Sequence, residues 1–315
     1  MNEARFREAE QQLWTSFGVT PTEQRIRLSR AGVTVRVQEV GEGPAVVFVH
    51  GATNGGSSWA PLVARLEGFR CVLLDRPGCG LSDPLVKGLA DMQRLAEFGD
   101  SLIIDVLDAM GLDKAHVVAT SFGGYMGLRA AAAHPARIDR MVEFGWTIGA
   151  PIGKTPFVMR LAGIPIMARL MASVPPNKRA VRAMLRSIGL RQAIDAGRVS
   201  DEAIEWFLAL LRDTDTMRNE IKTMPRVISA IRGMNDSLLL PESLLAGIRT
   251  PIYFLWGEED LYGGPETARQ FVARIPGAEL ELLPGAGHAP WMDNAEHAAT
   301  TTSRFLRQVS TVPSK

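Results

Sequence analysis

The strongest constraint on how this chain folds is a rhythm of short, unbroken apolar runs separated by helical stretches. Ala45-Val46-Val47-Phe48-Val49 carries no polar side chain, and Ile252-Tyr253-Phe254-Leu255-Trp256 is nearly as apolar. A strand with one face in water alternates polar and apolar side chains, so runs without alternation belong to strands covered on both faces, as in a parallel sheet. Residues 71–75, 117–119, 138–144 and 279–283 read as further strands, and residues 92–110, 125–133, 265–274 and 295–309 as helices between or after them. Strand and helix in alternation predict an α/β fold built on a parallel, doubly wound sheet. Two more strands, 25–28 and 33–40, precede it. In the second, Val33, Val35 and Val37 alternate with Thr34 and Arg36, the period-two pattern of a half-exposed strand.

Between Trp146 and Ser243 the strand rhythm stops. This stretch is rich in Met, Leu, Ala and Arg, with helical patterns over 158–171, 178–188 and 201–212 broken at Pro156, Pro165 and Pro175-Pro176. It predicts a helical cap at 146–243, inserted into an α/β core made of residues 25–145 and 244–315. Residues 1–24 form a helical extension: Phe6, Leu13, Trp14 and Phe17 recur among charges at near-helical spacing, suited to covering the core or a partner subunit.

Composition narrows the partners. Thirty-five Lys and Arg against thirty-four Asp and Glu give a net charge of +1, without the clustered basic charge that nucleic acid or an acidic membrane surface requires. A small-molecule partner is expected instead. Cys71 and Cys79 are too few for a disulfide framework and lack the neighbours of a zinc site, so both read as free thiols, and neither metal nor organic cofactor is expected. With no signal-type or spanning apolar segment, the expected location is the cytoplasm and no membrane is implied. The oligomeric state stays open between monomer and homodimer.

The segment Val117-Val118-Ala119-Thr120-Ser121-Phe122-Gly123-Gly124 carries the chemistry. It sets a serine between an apolar strand and an Ala-rich helix, with small residues two before and two after. This is the Gly-x-Ser-x-Gly elbow with Ala119 in the first glycine's place. Side chains at those flanking positions collide in so tight a turn; Ala adds a single methyl. The helix that follows aims its positive end at the serine hydroxyl, which favours an oxyanion there. Such a site takes one N–H from the residue after the nucleophile, Phe122, and a second from an earlier strand-end loop, where His50-Gly51-Ala52 offers Ala52. His50 itself reads as a brace for that loop. A histidine and an acid complete the set. His288 lies at the tip of Gly285-Ala286-Gly287-His288, directly after a strand, whereas His116 and His134 fall at ordinary element edges and His297 in the last helix. Trp256-Gly257-Glu258-Glu259-Asp260 ends an apolar strand, and Asp260 gives the chain order Ser, acid, His. Glu143, on the sixth strand, resembles the place where some dehalogenases carry their acid, which makes it the competing acid, able instead to pair with a cap arginine.

Over residues 33–306 these motifs, with Asp75-Arg76-Pro77-Gly78-Cys79-Gly80-Leu81-Ser82-Asp83, resemble the α/β-hydrolase superfamily. They look most like its capped esterase, C–C bond hydrolase and cofactor-free haloperoxidase branch. The resemblance implies an eight-stranded, mostly parallel sheet with the cap inserted after the sixth strand. Relatives that open epoxides or displace halide resemble the chain too, but carry Asp at the elbow and a Trp where Phe122 stands, so a serine enzyme acting on acyl carbon is expected. The first expectation is a carboxylesterase for a small to medium apolar ester. The alternatives are a C–C bond hydrolase of a vinylogous diketone acid, a lactonase, or a non-catalytic ligand receptor. Trp59, Trp146, Phe157, Met167 and Trp291, with Met159, Ile164 and Met171, are candidate pocket walls or cap-to-core packing. Arg160, Arg169 and Arg179 are either carboxylate ligands or solvated charges.

Overall fold

The computed structural model describes residues 1–85, 91–153, 160–161, 163–173 (backbone only for 171–173), 175–222, 227–229, 231 and 233–308. Eight strands form one sheet: β1 Thr22–Leu28, β2 Val33–Val40, β3 Ala45–Val49, β4 Arg70–Leu74, β5 Ala115–Ser121, β6 Ile138–Thr147, β9 Ile252–Gly257 and β10 Glu279–Leu283. The numbers β7 and β8 belong to a short hairpin, Ile228–Ser229 with Gly233–Met234, in the segment between β6 and β9. The spatial order is β1-β2-β4-β3-β5-β6-β9-β10. Only β2 runs against the others. This is the α/β-hydrolase fold expected above. The unbroken apolar runs are its interior: Val46 through Val49 and Ile252 through Trp256 are all buried. Helices α2 Met92–Ala109 and α3 Phe122–Ala133 follow β4 and β5, and α8 Pro265–Val272 and α9 Ala295–Leu306 flank β10.

The half-exposed reading of β2 fails at Arg36, which is buried. Helix α1, Glu3–Ser16, lies over that face and brings Glu10 to the guanidinium, which donates to Glu10 Oε1 at 3.0 Å, to Glu23 Oε2 at 2.8 Å and to Asp75 Oδ2 at 3.2 Å. Period two correctly separates the two faces; it cannot tell water from an ion-paired interior. The same helix buries Phe6, Leu13 and Trp14, and the Trp14 indole donates to Ser57 Oγ at 3.2 Å, so it covers this chain's own core.

Between β6 and β9 lie α4 Pro165–Ser173, α5 Lys178–Leu185, a π-helical turn Arg186–Leu190, α6 Asp201–Asp213 and α7 Thr216–Glu220. This segment is called the cap below. The hairpin breaks its otherwise helical character, β6 runs on to Thr147, and the sheet begins at Thr22, three residues ahead of the expected start. Helix α6 is anchored at its start by Ser200, whose hydroxyl accepts the Ala203 N–H at 3.2 Å, a cap worth about 1 kcal/mol. It buries Trp206 and Phe207 and packs on α1. Among the described residues no helix is long and apolar enough to cross a membrane.

Candidate active site

Ser121 ends β5 with φ 55° and ψ −117°, one of two non-glycine residues at positive φ among the described residues. Holding an L-residue there costs of order 1–3 kcal/mol, which the strand before it and the helix after it sustain. The neighbours explain why the segment needs small residues. A Cβ on Gly123 would stand 2.0 Å from the Val49 carbonyl oxygen, and one on Gly51 would stand 3.0 Å from Ser121 Cβ. The strand-end loop after β3 therefore closes directly onto the serine. Among the described residues no protein group accepts the N–H of Ala52 or of Phe122. Ala52 lines the same cavity as Ser121.

That loop is braced from behind. The Arg76 guanidinium donates to the carbonyls of His50 at 3.0 Å and Gly51 at 2.9 Å, and lies 4.8 Å from the Phe122 ring. His50 donates from Nδ1 to Gly51 O at 2.7 Å and accepts the Arg76 N–H on Nε2 at 3.0 Å. Burial first, and the Arg76 charge second, push the His50 imidazole well below its ordinary pKa, so it is a neutral strut. Its expected bracing role matches this geometry.

His288 meets Asp260: its Nδ1 lies 2.9 Å from Asp260 Oδ2. The same carboxylate accepts the Trp146 N–H at 2.7 Å and the Tyr262 N–H at 3.0 Å. With Nδ1 donating to the carboxylate, Nε2 is left to accept a proton. Two residues that sequence reasoning missed complete the cradle. Tyr262 stands edge-on to the imidazole at 4.6 Å, and Gly145 has φ +68°, where a Cβ would fall 2.7 Å from His288 O. The loop itself is tied by the Gly287 N–H to Asp293 Oδ2 at 2.8 Å; burial raises the Asp293 carboxyl to about 7.

Glu143 is not the partner of His288. Its side chain lies beneath the elbow against helix α3, where a Cβ on Gly124 would fall 1.9 Å from Oε1. It is fully buried, and neither carboxyl oxygen has a hydrogen-bond partner among the described residues. Burial, the largest influence, holds this carboxyl well above the ordinary carboxylate range, with the Thr147 hydroxyl and the Ser121 backbone acting against it. Among the described residues it pairs with no cap arginine.

Ser121, His288 and Ala52 open onto one cavity of about 240 Å³ between core and cap. Trp146 and Trp291 line it, as expected. Trp59 does not: it is buried in a stack with Trp291, at 4.3 Å, because its ring fills the core beneath that wall. Met167 sits on α4 away from the lining, and Phe157 and Met159 fall outside the described residues. The cap supplies Met184, Ile188 and Phe207 in their place. Among the described lining residues there is no Lys, Arg, Asp or Glu; Arg160, Arg169 and Arg179 are not among them. Among the described residues no three potential metal ligands cluster. Cys71 and Cys79 are buried, and burial pushes the Cys71 thiol up to about 12.

Comparison with known proteins adds to this geometry. The profile of the alpha/beta hydrolase family matches residues 46–300. The chain is 27% identical over 292 residues to 2-hydroxy-6-oxononadienedioate/2-hydroxy-6-oxononatrienedioate hydrolase 2 of Pseudomonas putida, covering 90% of this chain and 95% of the relative. It is 25% identical to 2-hydroxy-6-oxo-6-phenylhexa-2,4-dienoate hydrolase of Burkholderia cepacia, over 93% and 99% of the two chains. Among solved structures, carboxylesterase CesB from Bacillus subtilis superposes with a TM-score of 0.75 at 18% identity, over 97% of this chain and 98% of that one. The 2-hydroxy-6-oxo-6-phenylhexa-2,4-dienoate hydrolase from Rhodococcus sp. strain RHA1 gives 0.74 at 20%, over 92% and 100%. At these identities the solved structures establish a shared fold.

Proposed function

This chain belongs to the alpha/beta hydrolase family, and on that premise we propose that it is a serine hydrolase cleaving a bond to a carbonyl carbon, with Ser121 as nucleophile, His288 as base and Asp260 as the orienting acid. One observation carries the reading: the His288–Asp260 pair opens onto the same cavity as a serine held at positive φ. His288 Nε2 takes the Ser121 proton as Oγ attacks the carbonyl. The N–H groups of Ala52 and Phe122 receive the oxyanion, each worth roughly 3 kcal/mol in comparable sites. His288 then protonates the leaving group, and water, activated by the same nitrogen, releases the acyl group as a carboxylic acid. Asp260 fixes the tautomer throughout.

The relatives rank the leaving group. Both are hydrolases of unsaturated 2-hydroxy-6-oxo acids, one a dienedioate or trienedioate and the other a phenyl-substituted dienoate, which favours a carbon leaving group over the ester expected first from sequence. We therefore take the substrate to be a vinylogous diketone acid. Once such a dienol has ketonised, the departing carbon leaves as an enolate conjugated to the far ketone, and a proton from His288 completes it. The second reading, a carboxylesterase, is favoured by the uncharged lining, which suits a neutral alkyl or aryl ester.

Ser121→Ala is expected to lower kcat on either substrate by at least about 10⁴-fold while the far-ultraviolet dichroism stays unchanged. Retention of a tenth of the activity would end the nucleophile assignment. The ratio of kcat/KM for a 6-oxo dienoic acid against a p-nitrophenyl ester then decides between the two leaving groups.

A further inference from the structure

The loop that carries His288 is not held by the core alone. The backbone N–H of His288 donates to the carbonyl of Ile188, a cap residue, at 2.9 Å. Next to it, Gly189 leaves helical geometry with φ +97° and ψ −5°, inside the π-helical turn. A Cβ on Gly189 would stand 2.6 Å from Gly287 Cα and 2.8 Å from Glu259 O; one on Gly287 would stand 2.5 Å from the Gly189 backbone. Two glycines, one in the cap and one just before the base, thus touch backbone to backbone. The seam continues through Gln192, whose amide donates to Glu259 Oε1 at 3.0 Å. Ile188 also lines the cavity, so one turn is both a pocket wall and a support for the base.

At Thr53, another residue of the cavity wall, the cap meets the core again. Glu220, at the end of α7, accepts the Thr53 N–H and the Arg76 guanidinium, each at 3.2 Å. Arg76 in turn holds the carbonyls of His50 and Gly51, which precede Ala52.

We propose that Ile188 and Gly189 are positioning residues for His288, so that the base is seated against Ser121 only while the cap is docked. The proposal rests on the reading of His288 as base given above. A cap that shifts to admit substrate withdraws the Ile188 carbonyl from the His288 N–H, and its return completes the site. A turn that merely walls the pocket would change how well a large substrate binds. A turn that seats the base changes the reactivity of Ser121 toward any acyl donor, however small.

The test uses p-nitrophenyl acetate and a small fluorophosphonate, neither large enough to fill the cavity. Gly189→Ala is expected to lower kcat and the phosphonylation rate by roughly 10- to 100-fold with KM within about twofold, the scale that a misplacement near 1 Å commands. Arg182→Ala, which breaks an exposed cap ion pair to Asp201, is expected to stay within about twofold of wild type. Ser121→Ala in the same assay separates the two claims. If it still reacts, the nucleophile reading fails. If it is silent while folded Gly189→Ala reacts at the wild-type rate, or changes KM alone, the positioning role is overturned and the nucleophile reading stands. Where Gly189→Ala does not fold, amide hydrogen exchange in the wild-type protein decides. The His288 amide is expected to be protected and to exchange together with the amides of the turn; exchange at the unprotected rate overturns the proposal.

Discussion

The loop after β9 and the middle of β6 each bury a carboxylate, and the two lie in opposite surroundings. Asp260, in the loop, accepts two backbone N–H groups and the His288 imidazole. Glu143, inside its strand with Ala119 on one side and Phe254 on the other, has no hydrogen-bond partner among the described residues. Burial is the same; the supply of donors is not. Within a sheet the backbone N–H groups are consumed by the ladder, so a side-chain carboxylate there finds none. Where strands end the ladder releases them, and a buried anion can be held. Chain ends of parallel strands host reactive groups in such sheets for that physical reason.

Three experiments test this contrast, from the largest effect to the smallest. Asp260→Asn keeps the shape but turns a donor toward Nδ1, which favours the wrong imidazole tautomer; kcat is expected to fall about 10⁴-fold with the fold intact. A fall under tenfold would mean that another group orients His288. Gly124→Ala places a methyl where the Glu143 carboxyl lies, and is expected to cost about 1–3 kcal/mol by urea unfolding. Combining it with Glu143→Ala should recover part of that loss. An equal cost in both backgrounds would show that the carboxyl is not what the methyl meets.

The smallest effect belongs to Glu143→Gln, which is expected to keep kcat within about threefold, since amide and neutral acid have nearly the same shape. Its signature is in the pH dependence of stability. The Glu143 carboxyl is raised in the folded state, chiefly by burial. Above about pH 4.5 the unfolded chain therefore releases this proton while the folded chain keeps it, and stability falls as pH rises until the folded group itself ionises. Urea midpoints of variant and wild type are expected to change in parallel below about pH 4, with the variant gaining from pH 5 to 8. A wild-type protein that gains on the variant as pH rises would mean that Glu143 is held as an anion.

Much of the architecture is legible in the residues, because unbroken apolar runs have few other uses at this length. The elbow is legible for a local reason: Ala119, Ser121 and Gly123 meet their steric demands within one turn. The acid was less so. Asp260 and Glu143 both end up buried, and only the fold decides which carboxylate reaches Nδ1. Tyr262 and Gly145 escaped notice because their contacts with His288 join distant segments; a glycine before Trp146, where a strand leads into the cap, was the one available hint. Arg36 misled because its partners Glu10 and Asp75 come from elsewhere in the chain. The cap was legible only as helical. Its pocket-facing residues, and the turn that meets Gly287, depend on how the segment docks, which no local pattern encodes.

Helix α1 touches partners made at very different moments. The Glu10 contact to Arg36 becomes possible within a few dozen residues of synthesis, whereas the Asn2 N–H donates to Asp213 O, at the end of α6, at 2.6 Å. At usual elongation rates that separation amounts to roughly 10–40 s. A helix made well before the segment it docks on is thus among the last to be fully packed. Through that interval its charged contact to β2 has to hold it, while the apolar side that will face α6 stays available to whatever else is nearby.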